Sequence, residues 1–398
     1  MSQAPVPRHV LPVLVLAQFA GTSLWFAGNA VLPDLQRELG LGPDALATIT
    51  SAVQMGFIAG TLVFALANLA DRFSPRAVFL ASAILGAVAN GAIVLLARDA
   101  SAYAPLLALR FATGFCLAGI YPVGMKVAAS WYREGLGGAL GYLVGALVLG
   151  TAFPHLIKGL GHALPWTTVT AWLSALAVAG GAIMYALVPD GPHHPRGTRF
   201  DPRALVGIFA SRDLRASAFG YFGHMWELYT FWAMVPLMIA GHAAMHGGEA
   251  PNASLWSFWV IAAGAIGSVV GGIVSRHAGS ARVAFAQLSV SGACCLLSPL
   301  AFLLPFPAFA AFLTVWGVCV VGDSPQFSAL TAATAPKAFV GSTLTIVNCI
   351  GFALTIASIQ LASALAHHLP VAWWFVPVAV GPALGLAAIR RLAASEAR

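Results

Sequence analysis

The chain has 398 residues, of which 59% are hydrophobic and only 8% are charged, whereas a typical soluble protein carries about 25% charged residues. Its 20 basic and 13 acidic side chains are too few to cover a protein of this length in water, but they suffice for the loops of one whose central belt faces lipid. The composition therefore excludes a soluble globular protein. The basic residues lie between apolar runs rather than in one block, so the net charge of +7 does not indicate a nucleic-acid partner.

The cysteines give no sign of a disulfide framework or a zinc site. They lie inside apolar stretches rather than in loops, and no C-x-x-C pair occurs. We expect them to be packing residues, and we expect no cofactor. They are Cys116, Cys294, Cys295, Cys319 and Cys349.

About twelve apolar runs are long enough to cross a bilayer, which takes about 20 residues each. The first run, from about Val10 to Leu32, is longer than the core of a signal peptide and predicts a first spanning helix. The fold class predicted is an all-α polytopic membrane protein with about twelve transmembrane helices. The runs are centred near residues 22, 58, 87, 116, 148, 177, 227, 265, 293, 320, 353 and 381.

Loop charges predict the orientation. With the N-terminus inside, the outer loops hold only Arg37, Arg98 and Lys158, and sixteen basic residues lie in the inner loops. The positive-inside rule requires this asymmetry, so both termini are predicted to be cytoplasmic, in a multi-pass protein of the cytoplasmic (inner) membrane. The inner basic residues are Arg8, Arg72, Arg76, Lys126, Arg133, Arg196, Arg199, Arg203, Arg212, Arg215, Arg276, Arg282, Lys337, Arg390, Arg391 and Arg398.

A polar segment rich in proline and arginine divides the chain near its midpoint. We interpret residues 190–212 as a cytoplasmic linker. It would join an N-terminal six-helix bundle (residues 1–189) to a C-terminal six-helix bundle (residues 213–398).

The two halves share an internal repeat. The pattern G-x-C-x-x-G-x-x-P occurs at residues 114–122 and again at residues 317–325, an offset of 203. Pro33 maps to Pro236 at the same offset, and so does Gly138 to Gly341. One offset across several helix pairs indicates duplication. Repeats related by an axis along the membrane normal, with a site between them near the midplane, are typical of transporters.

Two motifs resemble those of the major facilitator superfamily (MFS). The loop A-N-L-A-D-R-F-S-P-R at residues 67–76 resembles the family's G-x-L-A-D-R-x-G-R-K motif, with Ala67 and Ser74 in place of its glycines. Arg110-x-x-x-Gly114 is similar to its R-x-x-x-G motif. The resemblance implies the MFS fold and a monomeric secondary transporter that moves a small solute across the bilayer by alternating access. It also implies that Asp71, Arg72 and Arg76 form part of a cytoplasmic gate.

The chain also departs from the family's patterns. In the second half the loop motif has decayed to G-G-I-V-S-R at residues 271–276, with Ser275 where an aspartate would lie. The fifth span lacks the glycine-proline signature of the drug/proton antiporters, and the second and eighth spans lack the arginines expected of nitrate porters. These differences argue against multidrug efflux and nitrate transport.

Three ionisable residues break the repeat inside spans, namely Arg110, Glu227 and Asp323. A charge near the bilayer centre costs at least about 2.5 kcal/mol, so each is expected to face a cavity or a partner. One interpretation is a buried ion pair of Arg110 with Asp323 or Glu227 that joins the halves. The other is a functional role.

Proton coupling is the functional role that the acids suggest. A carboxyl group that takes up a proton on one side and releases it on the other can use the membrane potential, worth about 2.3 kcal/mol per charge per 100 mV. The best candidate is Glu227, which lies mid-helix in the seventh span, and the others are Asp323 and His224, which lies one turn before Glu227 and could relay the proton or bind the solute. They favour a proton symporter that imports its solute. An efflux proton antiporter of the same fold is an alternative.

Polar residues on the inner helices of both halves predict a substrate cavity. They favour a small polar or amphipathic solute, although each alone is also typical of hydrogen bonds between membrane helices. The candidate substrate-binding residues are Asn29, Gln54, Arg110, Tyr121, Tyr229, Gln326 and Asn348, with Trp25 and Trp232 as aromatic walls.

A row of thioether and imidazole side chains suggests a rival substrate. Met234, Met238, His242 and Met245 fall within about 80° of one helix face, and such ligands suit Cu(I). Met234-x-x-x-Met238 resembles a motif in the copper-importing branch of the superfamily, but the eighth span lacks the expected H-x-x-x-M. A methionine row is also typical of core packing. Copper import therefore stands as an alternative function, with Met234, Met238 and His242 as ligands.

An enzyme is not expected. The sequence contains no H-E-x-x-H motif, no nucleophile elbow and no clustered carboxylates.

Overall fold

The computed structural model describes residues 6–96, 100–132, 136–161, 164–193, 200–247 and 251–396. Within these ranges the chain forms helices and turns and no strand. Eleven helices are long and apolar enough to cross a membrane, and the shorter apolar helix Val10–Thr22 precedes them. The predicted all-α polytopic fold is confirmed. The predicted loop residues Arg98, Arg133, Arg196, Arg199 and Arg398 lie outside the described residues.

We number the spans one to twelve in chain order. Each predicted run corresponds to one span, although some spans consist of several helices. In order, the spans are Val10–Thr22 with Ala27–Ala30 and Leu32–Leu39; Ala45–Leu66; Pro75–Leu96; Tyr103–Leu117 with Tyr121–Trp131; Leu136–Leu160; Trp166–Leu187; Arg212–His246; Ala253–Ala278; Ser280–Ala301; Phe306–Gly322 with Ser324–Thr334; Val340–Ala366; and Val371–Ser395.

The described parts of the connecting segments add short helices. The loop after the second span contains Leu69–Arg72, and the segment before the seventh span contains Ala204–Ala210. The second of these helices lies in the predicted linker, of which residues 194–199 fall outside the description. The seventh span begins at Ser211, whose side chain accepts a hydrogen bond from the backbone N–H of Leu214 and so caps the helix.

The repeated glycine-proline pattern breaks the fourth and tenth spans at equivalent points. Pro122 and Pro325 each lie in the first turn of the helix that follows the break. Proline is tolerated there because an N–H in the first turn has no partner within the helix. The sequence repeat is therefore also a repeat in backbone shape.

Glycines repeated at the offset of 203 allow close packing inside each half. A Cβ atom on Gly114 would collide with the backbone carbonyl of Val53 in the second span, and one on Gly317 with that of Val260 in the eighth span. Small residues let membrane helices approach closely. The same pair of spans is thus held together in each half by a glycine.

The first and seventh spans differ, although they are equivalent in the repeat. The seventh span is one continuous helix of 35 residues, whereas the first is interrupted by a turn between Thr22 and Ala27. No proline lies in that turn. Arg110 of the fourth span donates to the backbone carbonyls of Leu24 and Trp25 there, so it satisfies acceptors that the helix break leaves free.

The first and last described segments of the chain, which contain His9 and Glu396, lie on one face of the bundle, which we call the terminal face. His9 lies 3.1 Å from the carbonyl oxygen of Leu187 at the end of the sixth span, and Glu396 accepts from the backbone N–H of Arg282. We call the other end, which carries Asp44 and His367, the opposite face. The assignment of the terminal face to the cytoplasm remains a prediction from the loop charges.

Candidate functional site

Six aromatic side chains form a layer where the two halves meet, which we call the central aromatic layer. Every ring in it is at most 3% exposed. Neighbouring ring centroids lie 4.5 to 6.3 Å apart, which is the favourable range for aromatic pairs. The first and second spans contribute from one half, and the seventh and eleventh from the other. The rings are Trp25, Phe26, Phe57, Tyr229, Trp232 and Phe352.

The repeat places this layer on the pseudo-twofold axis. Phe26 and Tyr229 are equivalent residues at the offset of 203, and their ring centroids are 6.3 Å apart. Equivalent residues of two repeats meet only near the axis that relates them. The central aromatic layer therefore lies where an MFS-like architecture is expected to place its solute.

Amide side chains border the layer. The indole Nε1 of Trp25 donates to Oε1 of Gln54 over 3.2 Å, and Nδ2 of Asn29 donates to Oγ1 of Thr50 over 2.7 Å. All four residues are buried. The structure thus brings together five of the predicted substrate-binding residues, namely Trp25, Asn29, Gln54, Tyr229 and Trp232.

Contacts between the second and eleventh spans close the opposite face. Gln360 donates to Ser51 over 2.9 Å, and nearer the surface Ser363 donates to Asp44 over 2.9 Å. His367 lies 2.8 Å from the same Asp44 oxygen. The hydrogen bonds from His367 and Ser363 lower the pKa of Asp44. In this conformation the two halves are therefore joined to each other at the opposite face of the bundle.

The remaining neutral candidates lie towards the terminal face. Tyr121 begins the second helix of the fourth span, and Gln326 lies in the second helix of the tenth. Asn348 accepts a hydrogen bond of 3.1 Å from Tyr221, a residue that sequence reasoning missed.

Glu227 faces away from the central aromatic layer. It is two residues before Tyr229, a separation of about 200° around the helix. Its carboxylate accepts from Trp316 over 2.6 Å, from Ser291 over 3.0 Å and from Cys295 over 3.3 Å. These partners lie in the ninth and tenth spans, so Glu227 is held inside the C-terminal half with both oxygens hydrogen-bonded.

His224 and Asp323 form a buried pair. Nδ1 of His224 lies 2.8 Å from Oδ1 of Asp323, and the side chains are 1% and 0% exposed. Asp323 occupies the break in the tenth span. Neither oxygen of Asp323 and neither ring nitrogen of His224 makes a hydrogen bond of ordinary geometry among the described residues, and Tyr221 and Phe327 lie against the imidazole.

Arg110 pairs with neither acid. Its guanidinium group binds Leu24 and Trp25 through their carbonyls and Asn90 through a side-chain oxygen 3.1 Å away. All of these groups belong to the N-terminal half, whereas both acids lie in the C-terminal half. The ion pair considered from the sequence is therefore absent from the described residues, and Arg110 instead stabilises the break in the first span.

The two halves hold polar clusters at equivalent places, one built around a basic residue and the other around an acidic one. In the N-terminal half the cation Arg110 joins the first, third and fourth spans. In the C-terminal half the acid Glu227 joins the seventh, ninth and tenth spans. Trp316, the main partner of Glu227, carries no sequence signal that distinguishes it from other aromatic residues of spans.

The loop predicted to gate the terminal face is tied to the N-terminal half. Asp71 forms an ion pair with Lys126 of the fourth span. Arg76 donates to the carbonyl of Tyr185 over 3.2 Å and lies 3.9 Å from Asp190. Arg72, the third predicted gate residue, is exposed.

The methionine-histidine row lies in the second half of the seventh span, towards the opposite face, where its side chains pack against neighbouring helices. Met234 and Met238 are at most 2% exposed. His242 lies 2.9 Å from the carbonyl of Leu304 and stacks on Phe309 at 4.2 Å. Within the described ranges no group of three or more His, Cys, Asp or Glu residues is placed to hold a metal ion.

A family model described as Major Facilitator Superfamily matches residues 14–359. The chain belongs to the major facilitator superfamily. No curated protein sequence matches it significantly.

Solved MFS structures share the fold of this MFS chain at low sequence identity. One is a bacterial homologue of the human lysosomal transporter Spinster, in an inward-facing and occupied conformation, with a TM-score of 0.70 and 13% identity over 99% of this chain and 98% of that one. Another is the human organic anion transporter MFSD10 (TETRAN), with a TM-score of 0.70 and 15% identity over 97% of this chain and all of that one. The protein is therefore a multi-pass MFS transporter.

Proposed function

We propose that this MFS transporter couples the movement of a small solute to protons, and that His224 and Asp323 form the proton site. The observation that carries the proposal is their buried pair at 2.8 Å, located at the break in the tenth span. A broken helix can change its geometry at low cost because neighbouring groups satisfy the freed backbone. A titratable group at such a point is well placed to link protonation to a change of shape.

Protonation of Asp323 changes its interaction with His224. Such a change shifts an equilibrium between two conformations only by the difference between its energies in the two conformations. A shift from 1:99 to 99:1 takes a difference of about 5.5 kcal/mol.

The seventh span connects the pair to the central aromatic layer. His224 lies five residues before Tyr229 on one continuous helix, and Tyr229 contacts Trp25 of the other half at 5.7 Å between ring centroids. A shift of His224 is thus transmitted to the contact between the halves.

Glu227 is the weaker candidate for the proton site. Three donors hold its carboxylate inside the C-terminal half, whereas neither oxygen of Asp323 makes a hydrogen bond of ordinary geometry in the described part of the chain. A group that gains and loses a proton during a cycle needs partners that change. We therefore assign Glu227 a role in joining the seventh, ninth and tenth spans.

Distance measurements test the proposal without knowledge of the solute. Spin labels at Gly42 and His368 report on the opposite face, and labels at Phe73 and Lys337 on the terminal face. All four residues are exposed, and a Cβ at Gly42 meets no atom within 4 Å. Double electron–electron resonance in nanodiscs, in a background without the partly exposed native cysteines, should show distance populations at both faces that change in opposite senses with pH.

Two isosteric variants decide between the acids. Asp323→Asn should remove this pH dependence, whereas Glu227→Gln should retain it. If Glu227→Gln abolishes the pH response and Asp323→Asn leaves it intact, the proton site is Glu227 and our assignment is wrong. Symport and antiport then differ in how solute binding depends on proton binding. A symported solute binds more tightly at low pH, and an antiported solute binds less tightly.

A further inference from the structure

A short helix of the linker, Ala204–Ala210, exposes an apolar face although it lies outside the twelve spans. We call it the linker helix. Its residues Leu205, Val206 and Phe209 are 42%, 69% and 50% exposed and fall within about 100° of one helix face. Ala204 and Ile208, on the other face, are buried. A group of adjoining exposed apolar side chains indicates a surface that contacts lipid or another protein.

The linker helix lies against the spans rather than projecting into water. It packs on the seventh and eleventh spans, and the backbone N–H of Asp201, just before it, donates to Oγ of Ser342 in the eleventh span over 3.0 Å. The ring centroid of Phe209 lies 6.5 Å from that of Phe219, which is the eighth residue of the seventh span. Phe209 therefore lies beside a spanning helix and not beyond its end.

The surface that Phe209 joins faces lipid. Phe219 is 42% exposed and lies two residues before Tyr221, a separation of about 200° around the helix. Tyr221 faces the inside of the bundle, where it donates to Asn348 and lies against His224. The exposed side of Phe219 therefore points out of the bundle, towards the acyl chains that surround a spanning helix. The apolar face of the linker helix continues this surface.

Basic side chains flank the apolar face. Arg203 immediately precedes the linker helix, Arg212 and Arg215 follow it, and all three are exposed. Arg215 donates to the carbonyl of Phe209 over 2.8 Å, which holds its guanidinium group at the end of the helix. Within the described ranges none of the three arginines forms an ion pair with an acid.

A bilayer with anionic headgroups complements both features. A helix at the membrane interface buries its apolar face at the boundary of headgroups and acyl chains, and basic side chains near that boundary attract anionic lipid. The linker helix presents its apolar face and its arginines together, at the start of a spanning helix. A twofold contact with a second copy would also cover the apolar face, but it would bring the arginines of both chains together.

We propose that the linker helix binds the bilayer, with its apolar face among acyl chains and its three flanking arginines on the phosphate groups of anionic phospholipids. This surface is separate from the proposed proton site, and the proposal does not depend on proton coupling. It attaches the linker, and with it the start of the seventh span, to the membrane surface.

Quenching by brominated lipid tests the location of the apolar face in the full chain in nanodiscs. A bimane label at Val206, in a background without the partly exposed native cysteines, is compared with one at Lys337, an exposed residue between the tenth and eleventh spans. Phospholipids brominated on their acyl chains should quench the label at Val206 strongly and the label at Lys337 weakly. Quenching at Val206 that is no stronger than at Lys337 would overturn the proposal.

The same label at Val206 measures the headgroup preference. The discs contain equal amounts of phosphatidylcholine and phosphatidylglycerol, and only one of the two lipids is brominated. The three arginines exceed the acids of this segment, Asp201 and Asp213, by one charge, which corresponds to about a fivefold preference for the anionic lipid. Brominated phosphatidylglycerol should therefore quench more than brominated phosphatidylcholine, and equal quenching would contradict the headgroup contact.

Two matched double variants locate this contact. Arg203→Gln with Arg212→Gln removes two charges beside the linker helix and should abolish the preference. Arg390→Gln with Arg391→Gln removes two exposed charges at the end of the twelfth span and should leave it intact. An equal loss in both variants would assign the preference to the overall charge and overturn the site. Energy transfer between labelled chains, together with weak quenching by lipid, would show that a second copy covers the apolar face instead.

Discussion

The guanidinium group of Arg110 binds the backbone carbonyl of Trp25 at the break in the first span. An arginine of the fourth span thereby fixes the backbone that carries one ring of the central aromatic layer. The equivalent of Arg110 in the second half is Leu313, and the seventh span there is unbroken. The cation and the helix break thus occur together in one half only.

Replacement of Arg110 by leucine should destabilise the protein. The change leaves the carbonyls of Leu24 and Trp25 without donors, and loss of hydrogen bonds to a charged group costs about 1.5 to 3 kcal/mol each. We expect a loss of about 3 kcal/mol in the free energy of unfolding, measured by denaturant titration in detergent. Arg37→Leu is the control, because its exposed pair with Asp34 is worth less than about 1 kcal/mol. Equal effects of the two changes would contradict this role.

The contact between Trp316 and Glu227 should be measurable as a coupling energy. Trp316→Phe removes the N–H that donates to the carboxylate and leaves a buried acceptor less satisfied, so it should cost about 2 kcal/mol. In the Glu227→Leu background the same change should cost at least about 1 kcal/mol less. Additive effects in this double-mutant cycle would show that the hydrogen bond does not join the two spans.

Glycine substitutions test the repeated packing. Gly114→Ala and Gly317→Ala each drive a Cβ into a backbone carbonyl and should destabilise the protein by about 1 to 3 kcal/mol. Gly341→Ala is the control, since a Cβ there meets no atom within 4 Å. It should be neutral or stabilising by up to about 1 kcal/mol because alanine favours the helix. Thermal unfolding of the three variants, measured side by side, checks the expected order of their stabilities.

The contact of Asp44 with His367 should depend on pH in a defined direction. The pKa of Asp44 is lowered by the hydrogen bonds from His367 and Ser363. A lowered folded pKa means that the contribution of Asp44 is fully present above its ordinary pKa and is lost as the pH falls through the lowered value. Protonation of Asp44 should therefore open the opposite face only below about pH 4.

Asp44→Asn isolates the same contact at neutral pH. It should increase the long-distance population between labels at Gly42 and His368, because a charge-assisted hydrogen bond becomes a neutral one. Thr48→Val, which removes a hydroxyl that donates to the backbone carbonyl of Asp44 and leaves the Asp44 carboxylate unchanged, is the control. An unchanged distance distribution in Asp44→Asn would mean that deeper contacts such as Gln360 with Ser51 close this face alone.

Local sequence determined the spans and the repeat. Bilayer thickness sets the length of a spanning helix, so runs of apolar residues are visible without knowledge of their neighbours. Proline by itself did not determine the breaks, because Pro122 and Pro325 follow breaks whereas Pro154, Pro236 and Pro299 lie inside continuous helices. The motifs at residues 67–76 and 110–114 predicted the superfamily, and the match of the family model to residues 14–359 confirms that prediction.

Tertiary structure decided which way each ionisable side chain faces and what it binds. Glu227 and His224 lie one turn apart on one helix, yet they have different partners. Glu227 binds Ser291 and Trp316 of the ninth and tenth spans, whereas His224 lies against Asp323 at the break in the tenth span. The break in the first span contains no proline, so the sequence did not predict it. The structure shows it, together with Arg110 bound to the backbone carbonyls at the break. Hydropathy indicates that a residue lies in the membrane but not what it binds: the partners of Glu227 and His224 lie more than 60 residues away along the chain, and only the packing of the bundle brings them together.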